Sequence, residues 1–173
     1  MPAMPDLSDM PNTHDRQYLV TSDKVEIDAP ASFVWDILID LPRYPEWNPY
    51  TVKVESTLRM GEPVNLYLPD PTRPGELLHV IEHLAAFDRP KLLSWQMIAS
   101  ADNPDAARRD QIIEALGDAR CRYHSTDLFL GPTAPTVMAQ HGEWVRQGFS
   151  AVAHALKQRA ETLYREARST QAV

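Results

Sequence analysis

The sequence predicts a single α+β domain in which antiparallel strands precede one long C-terminal helix. Alternating apolar segments fill the middle of the chain, and Gly117-Asp118 lies between two of them as a hairpin signal. The C-terminal part instead carries apolar residues at three- and four-residue spacing, which is typical of an amphipathic helix about 30 residues long. Those residues are Met138, Val145, Phe149, Val152, Leu156, Ala160, Leu163 and Ala167.

The first predicted element after the N-terminal region is a short helix over residues 31–38, which have helix-forming composition. Three prolines follow within residues 41–50. Each lacks a backbone donor and disfavours helical conformation in the residue before it, so no regular element is expected there. The rings of Tyr44 and Trp47 are then held by packing alone, which is typical of residues that cover a core or the mouth of a cavity.

Alternation and turn residues predict further strands between the proline turn and the last helix. Met60-Gly61 lies between the first two of them as a hairpin signal, and proline-rich or polar loops are expected over residues 70–75 and 100–108. Pro135 and Thr136 mark the expected start of the last helix. The predicted strands are residues 51–58, 63–69, 91–99, 110–116 and 121–130.

The proline turn and its surroundings resemble the START-like superfamily, also called SRPBCC or polyketide cyclase/dehydrase-like. The resemblance covers residues 17–168 and implies a helix-grip fold, in which a curved antiparallel sheet wraps around the C-terminal helix and leaves an apolar cavity between them. It also implies that residues 76–87 form a strand. The motifs that carry it are an apolar strand at 24–28, Ala-Pro at a helix start, Val-Trp-Asp-Ile-Leu, Tyr-Pro-Glu-Trp-Asn-Pro, Leu92-Leu93-Ser94-Trp95, Arg122-Tyr123 and Phe129-Leu130-Gly131.

Residues 76–87, ELLHVIEHLAAF, have the apolar spacing of a helix and contain a zinc-like pattern. His79, Glu82 and His83 match the H-x-x-E-H motif of inverted zinc peptidases. On a helix the two imidazoles would lie one turn apart and share a Zn²⁺. On a strand they would be separated by about 13 Å, and one metal could not bind both. Because the resemblance implies a strand, we predict that no metal is bound.

Composition limits the organisation and the class of partner. A net charge of −7 and a pI near 5.3 argue against binding to nucleic acid. The single cysteine, Cys121, is expected to be a buried, inert thiol in a reducing, cytoplasmic location. No stretch approaches the roughly 18 apolar residues of a membrane span. The predicted organisation is a disordered tail over 1–16, the helix-grip domain over 17–168 and a C-terminal tail over 169–173.

Strand alternation assigns faces and leads to the candidate pocket. It places three carboxylates, those of Glu82, Glu114 and Asp127, among the inward residues, where burial raises a carboxyl pKa toward values useful for acid–base chemistry. The aromatic and aliphatic pocket candidates are Trp47, Trp95, Tyr123, Phe129, Val145 and Phe149. The full inward sets are Leu78, Val80, Glu82 and Leu84; Leu93, Trp95 and Met97; Ile112, Glu114 and Leu116; and Cys121, Tyr123, Ser125, Asp127 and Phe129.

Gly142 and Gly148 are unexpected within the long helix, because glycine costs about 1 kcal/mol relative to alanine there. Two interpretations remain open. Either the glycines leave room for a ligand in the cavity, or they allow a loop or the sheet to pack closely against the helix.

The sequence thus predicts a protein that binds a small hydrophobic or aromatic molecule, such as a lipid, an isoprenoid or a polyketide-like compound, without a cofactor. One alternative is an enzyme of the polyketide cyclase/aromatase type, with Glu82, Asp127 and Tyr123 as candidate general acids and bases. Another is a non-catalytic module that binds a protein partner or forms a homodimer through an exposed apolar patch.

Overall fold

The computed structural model, which describes residues 16–172, contains an eight-stranded antiparallel sheet and a 38-residue C-terminal helix. Two short 3₁₀ helices span Arg16–Tyr18 and Leu41–Glu46. The remaining elements are β1 (Leu19–Thr21), β2 (Val25–Ile27), α1 (Ala31–Ile39), β3 (Lys53–Ser56), β4 (Pro63–Pro69), β5 (Leu77–Asp88), β6 (Leu92–Met97), β7 (Ala106–Gly117), β8 (Arg120–Leu130) and α2 (Ala134–Gln171).

The first two strands of the chain lie next to its last strand, β8. Both β1 and β2 pair with β8, and the order then runs β8-β7-β6-β5-β4-β3. Helix α2 packs against β8, β1 and β2 and also contacts α1. A curved antiparallel sheet around a long C-terminal helix is the helix-grip α+β architecture, so the predicted fold class is confirmed.

Residues 77–88 form a strand despite the helical spacing of their apolar residues. β5 pairs with β4 on one side and β6 on the other, and these two ladders satisfy its backbone groups. Leu84 is buried and Leu78, Val80 and Glu82 face the same side, as alternation predicted, whereas Ile81 is exposed on the outer face. Tertiary pairing therefore overrides the local helical pattern.

The face assigned to β7 was wrong. Arg109, Gln111 and Ile113 are the buried residues, and Glu114 is exposed on the other face, where its Oε2 accepts a hydrogen bond from Arg122 Nη1 at 3.1 Å. The error is a shift by one residue, which exchanges the two faces of a strand. It arose because the inward residues of β7 include an arginine and a glutamine, so the more apolar set, Ile112, Glu114 and Leu116, is not the buried one.

Most predicted element bounds differ little from the observed ones. β4 has the predicted bounds, and β3 is shorter than predicted. β7 begins at Ala106, inside the segment expected to be a polar loop. The three-residue strand β1 was not predicted. Gly61 has φ of 80° at the turn between β3 and β4, where the hairpin signal lay.

The proline turn is more regular than predicted, because Leu41–Glu46 forms a 3₁₀ helix. Pro42 lies in the first turn of this 3₁₀ helix, where its missing donor would have no partner in any case, whereas Pro45 lies inside the helix. The ring of Tyr44 is 1% exposed, and its hydroxyl donates a 2.6 Å hydrogen bond to the carbonyl oxygen of Leu38 at the end of α1. This bond fixes the turn against the helix that precedes it.

Tyr44→Phe is expected to lower the free energy of unfolding by about 1–2 kcal/mol, because it leaves the buried Leu38 carbonyl without this donor. Urea denaturation measures the change. The matched control is Tyr67→Phe, because the Tyr67 ring lies on the outer face of β4, stacked on His79 at 4.7 Å between centroids. A loss in the Tyr44 variant no larger than that in the control would show that the hydroxyl does not hold the turn.

Helix α2 presents a buried stripe to the sheet and extends beyond the predicted length of about 30 residues. The two glycines differ in their surroundings. A Cβ atom at Gly142 would meet Met138 on the same helix, whereas a Cβ atom at Gly148 would lie 2.2 Å from the ring of Tyr50. Close packing of a loop residue thus explains Gly148. The buried residues of α2 are Ala134, Gly142, Val145, Phe149, Ser150, Val152, Ala153, Leu156 and Ala160.

The described residues can be compared with the predicted domain bounds at both ends of the chain. The predicted tail over residues 1–16 lies outside the described residues apart from Arg16, and α2 continues to Gln171, past the predicted domain end at residue 168. Among residues 16–172, no helix is both long enough and apolar enough to cross a membrane.

Candidate functional site

A cavity of about 190 Å³ lies between the inner face of the sheet and the first half of α2. His141 lines the cavity and is itself exposed, so the opening lies at the first turns of that helix. Most of the surrounding side chains are apolar or aromatic and come from the loop after the 3₁₀ helix, from β4 to β8 and from α2. They are Tyr50, Leu66, Leu68, Leu78, Val80, Trp95, Met97, Ala106, Ala107, Phe129, Val137, Trp144, Val145 and Phe149.

Tyr50 connects the loop to the helix on one side of the cavity. Its ring centroid lies 5.2 Å from that of Trp144 and 5.6 Å from that of Phe149. Such tilted and edge-on arrangements are the favourable geometry for aromatic pairs. The backbone N–H of Tyr50 donates to Asn48 Oδ1 at 3.0 Å, which holds the loop. Gly148 is the position at which α2 admits this ring.

A row of three cross-strand neighbours forms the polar part of the cavity. Trp95 on β6 is paired with Arg109 on β7, and Arg109 is paired with Asp127 on β8. All three line the cavity, together with Glu82 from β5. Strand register therefore places one guanidinium and two carboxyl groups among aromatic rings.

Arg109 is a buried cation held by aromatic faces. Only 5% of the residue is exposed, and its Cζ lies 4.1 Å from the ring centroid of Phe149 and 5.6 Å from that of Trp95. Its Nη1 donates to Thr51 Oγ1 at 3.4 Å, while Nε and Nη2 are buried without a protein acceptor. Cation–π contact stabilises the charge but does not satisfy the N–H donors.

The pKa values of both cavity carboxyl groups are raised above the ordinary range. Burial raises the pKa of Glu82 to about 8, and the neighbouring Asp127 adds to this effect. Burial likewise raises the pKa of Asp127 to about 7, against the opposing influence of Arg109. Neither carboxylate forms an ion pair within 4.0 Å with a basic side chain of residues 16–172. These two acids therefore titrate near neutral pH, which is unusual for carboxyl groups.

A second polar layer lies next to this row, deeper in the core. The Tyr123 hydroxyl donates a hydrogen bond to Gln111 Oε1 at 3.3 Å, and Ser125 is fully buried on the same strand. Burial raises the pKa of Tyr123, although Arg109 and Ser125 favour its ionised form. The tyrosine hydroxyl is therefore neutral at physiological pH and serves as a hydrogen-bond donor.

The structure brings six of the nine predicted pocket residues around one cavity. Three do not line it: Glu114 is exposed on the outer face of β7, Tyr123 belongs to the deeper layer, and Trp47 packs on Tyr44 at 5.1 Å between ring centroids. The six that line the cavity are Glu82, Trp95, Asp127, Phe129, Val145 and Phe149.

Sequence reasoning missed Arg109, Tyr50 and Trp144 as cavity residues. Arg109 lay between the predicted polar loop over residues 100–108 and the predicted strand over residues 110–116, and no alternation of apolar residues marks its face. For Tyr50, the two glycines in α2 were the available signal, since a helix glycine often marks a close approach. Trp144 lies between two glycines in the sequence and on the cavity side of the helix.

The residues of the zinc-like pattern lie on β5, and the cysteine is buried on β8. His79 and His83 lie on β5. The Nε2 atom of His79 is 2.9 Å from Asn65 Oδ1, and its imidazole ring stacks on the ring of Tyr67. Within residues 16–172, no group of three or more potential ligands is placed to hold a metal ion. Cys121 is fully buried, and burial raises the pKa of its thiol to about 11, which makes it a poor nucleophile.

Comparison with known proteins places the chain in a family and a fold. The sequence matches the family described as polyketide cyclase/dehydrase and lipid transport over residues 19–161. No match was found among curated proteins.

Many solved structures are similar in fold, among them the following three. A START superfamily protein from Mycobacterium smegmatis is 20% identical with a TM-score of 0.59, and the match covers 84% of this chain and 98% of that chain. The Zhui aromatase/cyclase from Streptomyces sp. R1128 is 21% identical with a TM-score of 0.62, covering 83% and 93%. A norcoclaurine synthase point mutant from Thalictrum flavum is 18% identical with a TM-score of 0.57, covering 82% and 92%.

The family match runs from β1 into the second half of α2 and so includes every strand and most of the helix that enclose the cavity. Structures of this low identity support the fold, and the family match supports a role in ligand binding or cyclisation. The chain belongs to the polyketide cyclase/dehydrase and lipid transport family.

Proposed function

We propose that the protein binds a small apolar or aromatic molecule in the cavity between the sheet and α2. The observation that carries the proposal is the cavity itself, which both layers of the fold line with aromatic and aliphatic side chains. Burial of apolar ligand surface there contributes about 25 cal/mol per Å² to the free energy of binding. The few polar groups, above all Glu82, Arg109 and Asp127, orient the ligand.

The cavity volume limits the size of the ligand. An apolar cavity of about 150 Å³ binds a molecule of the size of benzene. The observed volume of about 190 Å³ therefore suits a molecule of one or two rings. A longer isoprenoid or polyketide chain would extend through the opening near His141.

Binding of 2-naphthamide, an uncharged two-ring probe, tests the proposal by isothermal titration calorimetry. Ala107→Phe, which fills the cavity from β7, is expected to weaken binding by at least tenfold. Ala151→Phe adds the same side chain at an exposed position of α2 and should leave affinity unchanged. Equal affinity in both variants, or no binding to the wild type, would contradict the proposed site.

An enzymatic role of the cyclase type is the second candidate, favoured by the two cavity carboxyl groups. Glu82 and Asp127 have pKa values of about 8 and about 7, so each exchanges a proton readily near neutral pH. Residues of this kind could direct enolisation and dehydration of a poly-oxo substrate. Tyr123 is a weaker candidate, since it lies outside the cavity lining.

Amide variants separate the two candidates. If the cavity only binds a ligand, Glu82→Gln and Asp127→Asn should leave affinity within about tenfold of the wild type, since loss of an inward charge removes a desolvation cost. If the carboxyl groups catalyse, turnover should fall by roughly 10²–10⁴ with binding retained. Ligands for this comparison come from a thermal-shift screen of aromatic, isoprenoid and polyketide-like compounds.

A further inference from the structure

Arg109 is the least satisfied charged group of the cavity. It is 95% withdrawn from solvent, it has no ion pair within residues 16–172, and two of its three nitrogens have no protein acceptor. A buried cation without an anion is strongly unfavourable. Asp127 lies directly opposite on β8, yet its carboxylate is not within 4.0 Å of the guanidinium. The fold thus keeps a cation available beside the cavity.

The guanidinium has partners on several sides. The ring centroids of Phe149 and Trp95 lie 4.1 Å and 5.6 Å from its Cζ, and Nη1 donates to Thr51 Oγ1. The Tyr123 hydroxyl also lies near Arg109. The unpartnered Nε and Nη2 form one edge of the planar group, with two nearly parallel N–H bonds. That edge matches the two oxygens of a carboxylate in a bidentate pair.

We propose, on the basis of the binding function above, that the natural ligand is an aromatic or apolar weak acid whose carboxylate pairs with the free edge of Arg109. The rings of the ligand then occupy the apolar part of the cavity, and its acidic group completes the hydrogen bonding of the buried arginine. Neutral molecules of the same shape bind more weakly, because they leave the cation unpaired.

The groups that face Arg109 decide when an anion is favoured. They are Tyr44 and Tyr50 near the proline turn, Glu82 on β5, and Tyr123 and Asp127 on β8. Two further titratable residues, His141 and Asp105, line the cavity. Burial raises the pKa of each of these tyrosines, so all three are neutral. With both inward carboxyl groups protonated the polar end carries one positive charge, and with both ionised it carries one negative charge. Anion binding therefore strengthens as the pH falls through the pKa values of about 8 and about 7.

The experiment compares three probes of one shape, 2-naphthoate, 2-naphthamide and 2-naphthylmethylamine, by isothermal titration calorimetry at pH 6 and pH 8. We expect 2-naphthoate to bind at least tenfold more tightly than the amide at pH 6, where both carboxyl groups are already protonated. At pH 8 this preference should shrink, and binding of the acid there should be accompanied by proton uptake. Asp127→Asn should preserve the preference at pH 8. Tightest binding by the amine, or equal binding of acid and amide at pH 6, would overturn the inference.

Variants of the arginine complete the test. Arg109→Gln should abolish the preference for the acid while 2-naphthamide still binds. Arg109→Lys keeps the positive charge but lacks the paired N–H donors of the guanidinium, so it should reduce the preference for the acid. Arg108→Gln is the matched control, because Arg108 points to the other face of β7 and pairs with Asp110 at 2.9 Å. Persistence of the preference in folded Arg109→Gln protein would contradict the assignment.

The outcomes also separate this inference from the proposed function. If the amide binds in the cavity but the acid has no advantage, only the inference about Arg109 fails. If none of the three probes binds to the wild type, the proposed cavity function fails and the inference fails with it. Circular dichroism of each variant establishes that it is folded before binding is compared.

Discussion

Gly148→Ala is expected to lower the free energy of unfolding by about 3 kcal/mol, because it forces a contact that the cavity wall cannot accommodate. The new Cβ atom would lie 2.2 Å and 2.4 Å from two carbons of the Tyr50 ring. That ring is held between Trp144 and Phe149, and its backbone is fixed by Asn48. Relief of the clash requires the ring to leave its place, which disrupts the cavity as well as the core.

Gly142→Ala provides the control on the same helix. Its Cβ atom would meet the Met138 sulfur at 2.6 Å, but this is the far end of a flexible side chain that can turn away. The gain in helix propensity is about 1 kcal/mol, so the variant should be as stable as the wild type or slightly more stable. Urea denaturation of both variants measures the difference. A loss at Gly142 equal to that at Gly148 would show that Tyr50 is not the cause.

Stability is expected to fall as the pH rises from about 5 to about 8, by up to about 1.4 kcal/mol per pH unit for each of the two inward carboxyl groups. The folded-state pKa values of Glu82 and Asp127 are about 8 and about 7, above the ordinary values of 4.5 and 3.8. The native protein therefore binds more protons than the unfolded chain over this interval. The contribution of each group is fully present below its ordinary pKa and is lost as the pH rises from that value through the folded-state pKa.

The amide variants test this pH dependence directly. Glu82→Gln and Asp127→Asn should flatten the profile and make the protein more stable than the wild type at pH 8, because no charge is then buried. Glu114→Gln is the control, since Glu114 is exposed on the outer face of β7 and pairs with Arg122. An unchanged profile in both cavity variants would show that these two carboxyl groups do not account for the dependence.

The sequence predicted the parts of the fold that depend on repeating patterns. Alternation assigned the inward faces of β5, β6 and β8, including Glu82, Trp95 and Asp127, and the three- and four-residue spacing identified α2. The resemblance resolved residues 77–88 as a strand where local spacing suggested a helix. These features depend on many residues at once, so single exceptions do not obscure them.

The same reasoning failed where the buried residues are polar. Arg109 and Gln111 face inward on β7, and their neighbours Ile112 and Leu116 face outward, so a search for the more apolar face chose the wrong one. The polar groups that define the cavity are thus the reason that its β7 wall was misassigned. Functional sites commonly depart from the pattern of a core in this way.

Contacts between distant segments were also beyond the sequence. Tyr50 and Gly148 are far apart in the chain, and only the course of the loop after the 3₁₀ helix brings them together. The prolines of this turn predicted no regular element, whereas a 3₁₀ helix forms there, and they gave no direction for the rings that follow. Loop geometry is set by packing, which local propensity does not record.

A crystal structure of the protein grown with 2-naphthoate at pH 6 tests the central claim most directly. The account predicts one probe molecule between the sheet and α2, with its rings against Trp95 and Phe149 and its carboxylate at the Nε–Nη2 edge of Arg109. Rings in this place with the carboxylate elsewhere would preserve the cavity function and remove the role of Arg109. A probe bound only on the outer surface, at a concentration that saturates the protein in solution, would contradict the account.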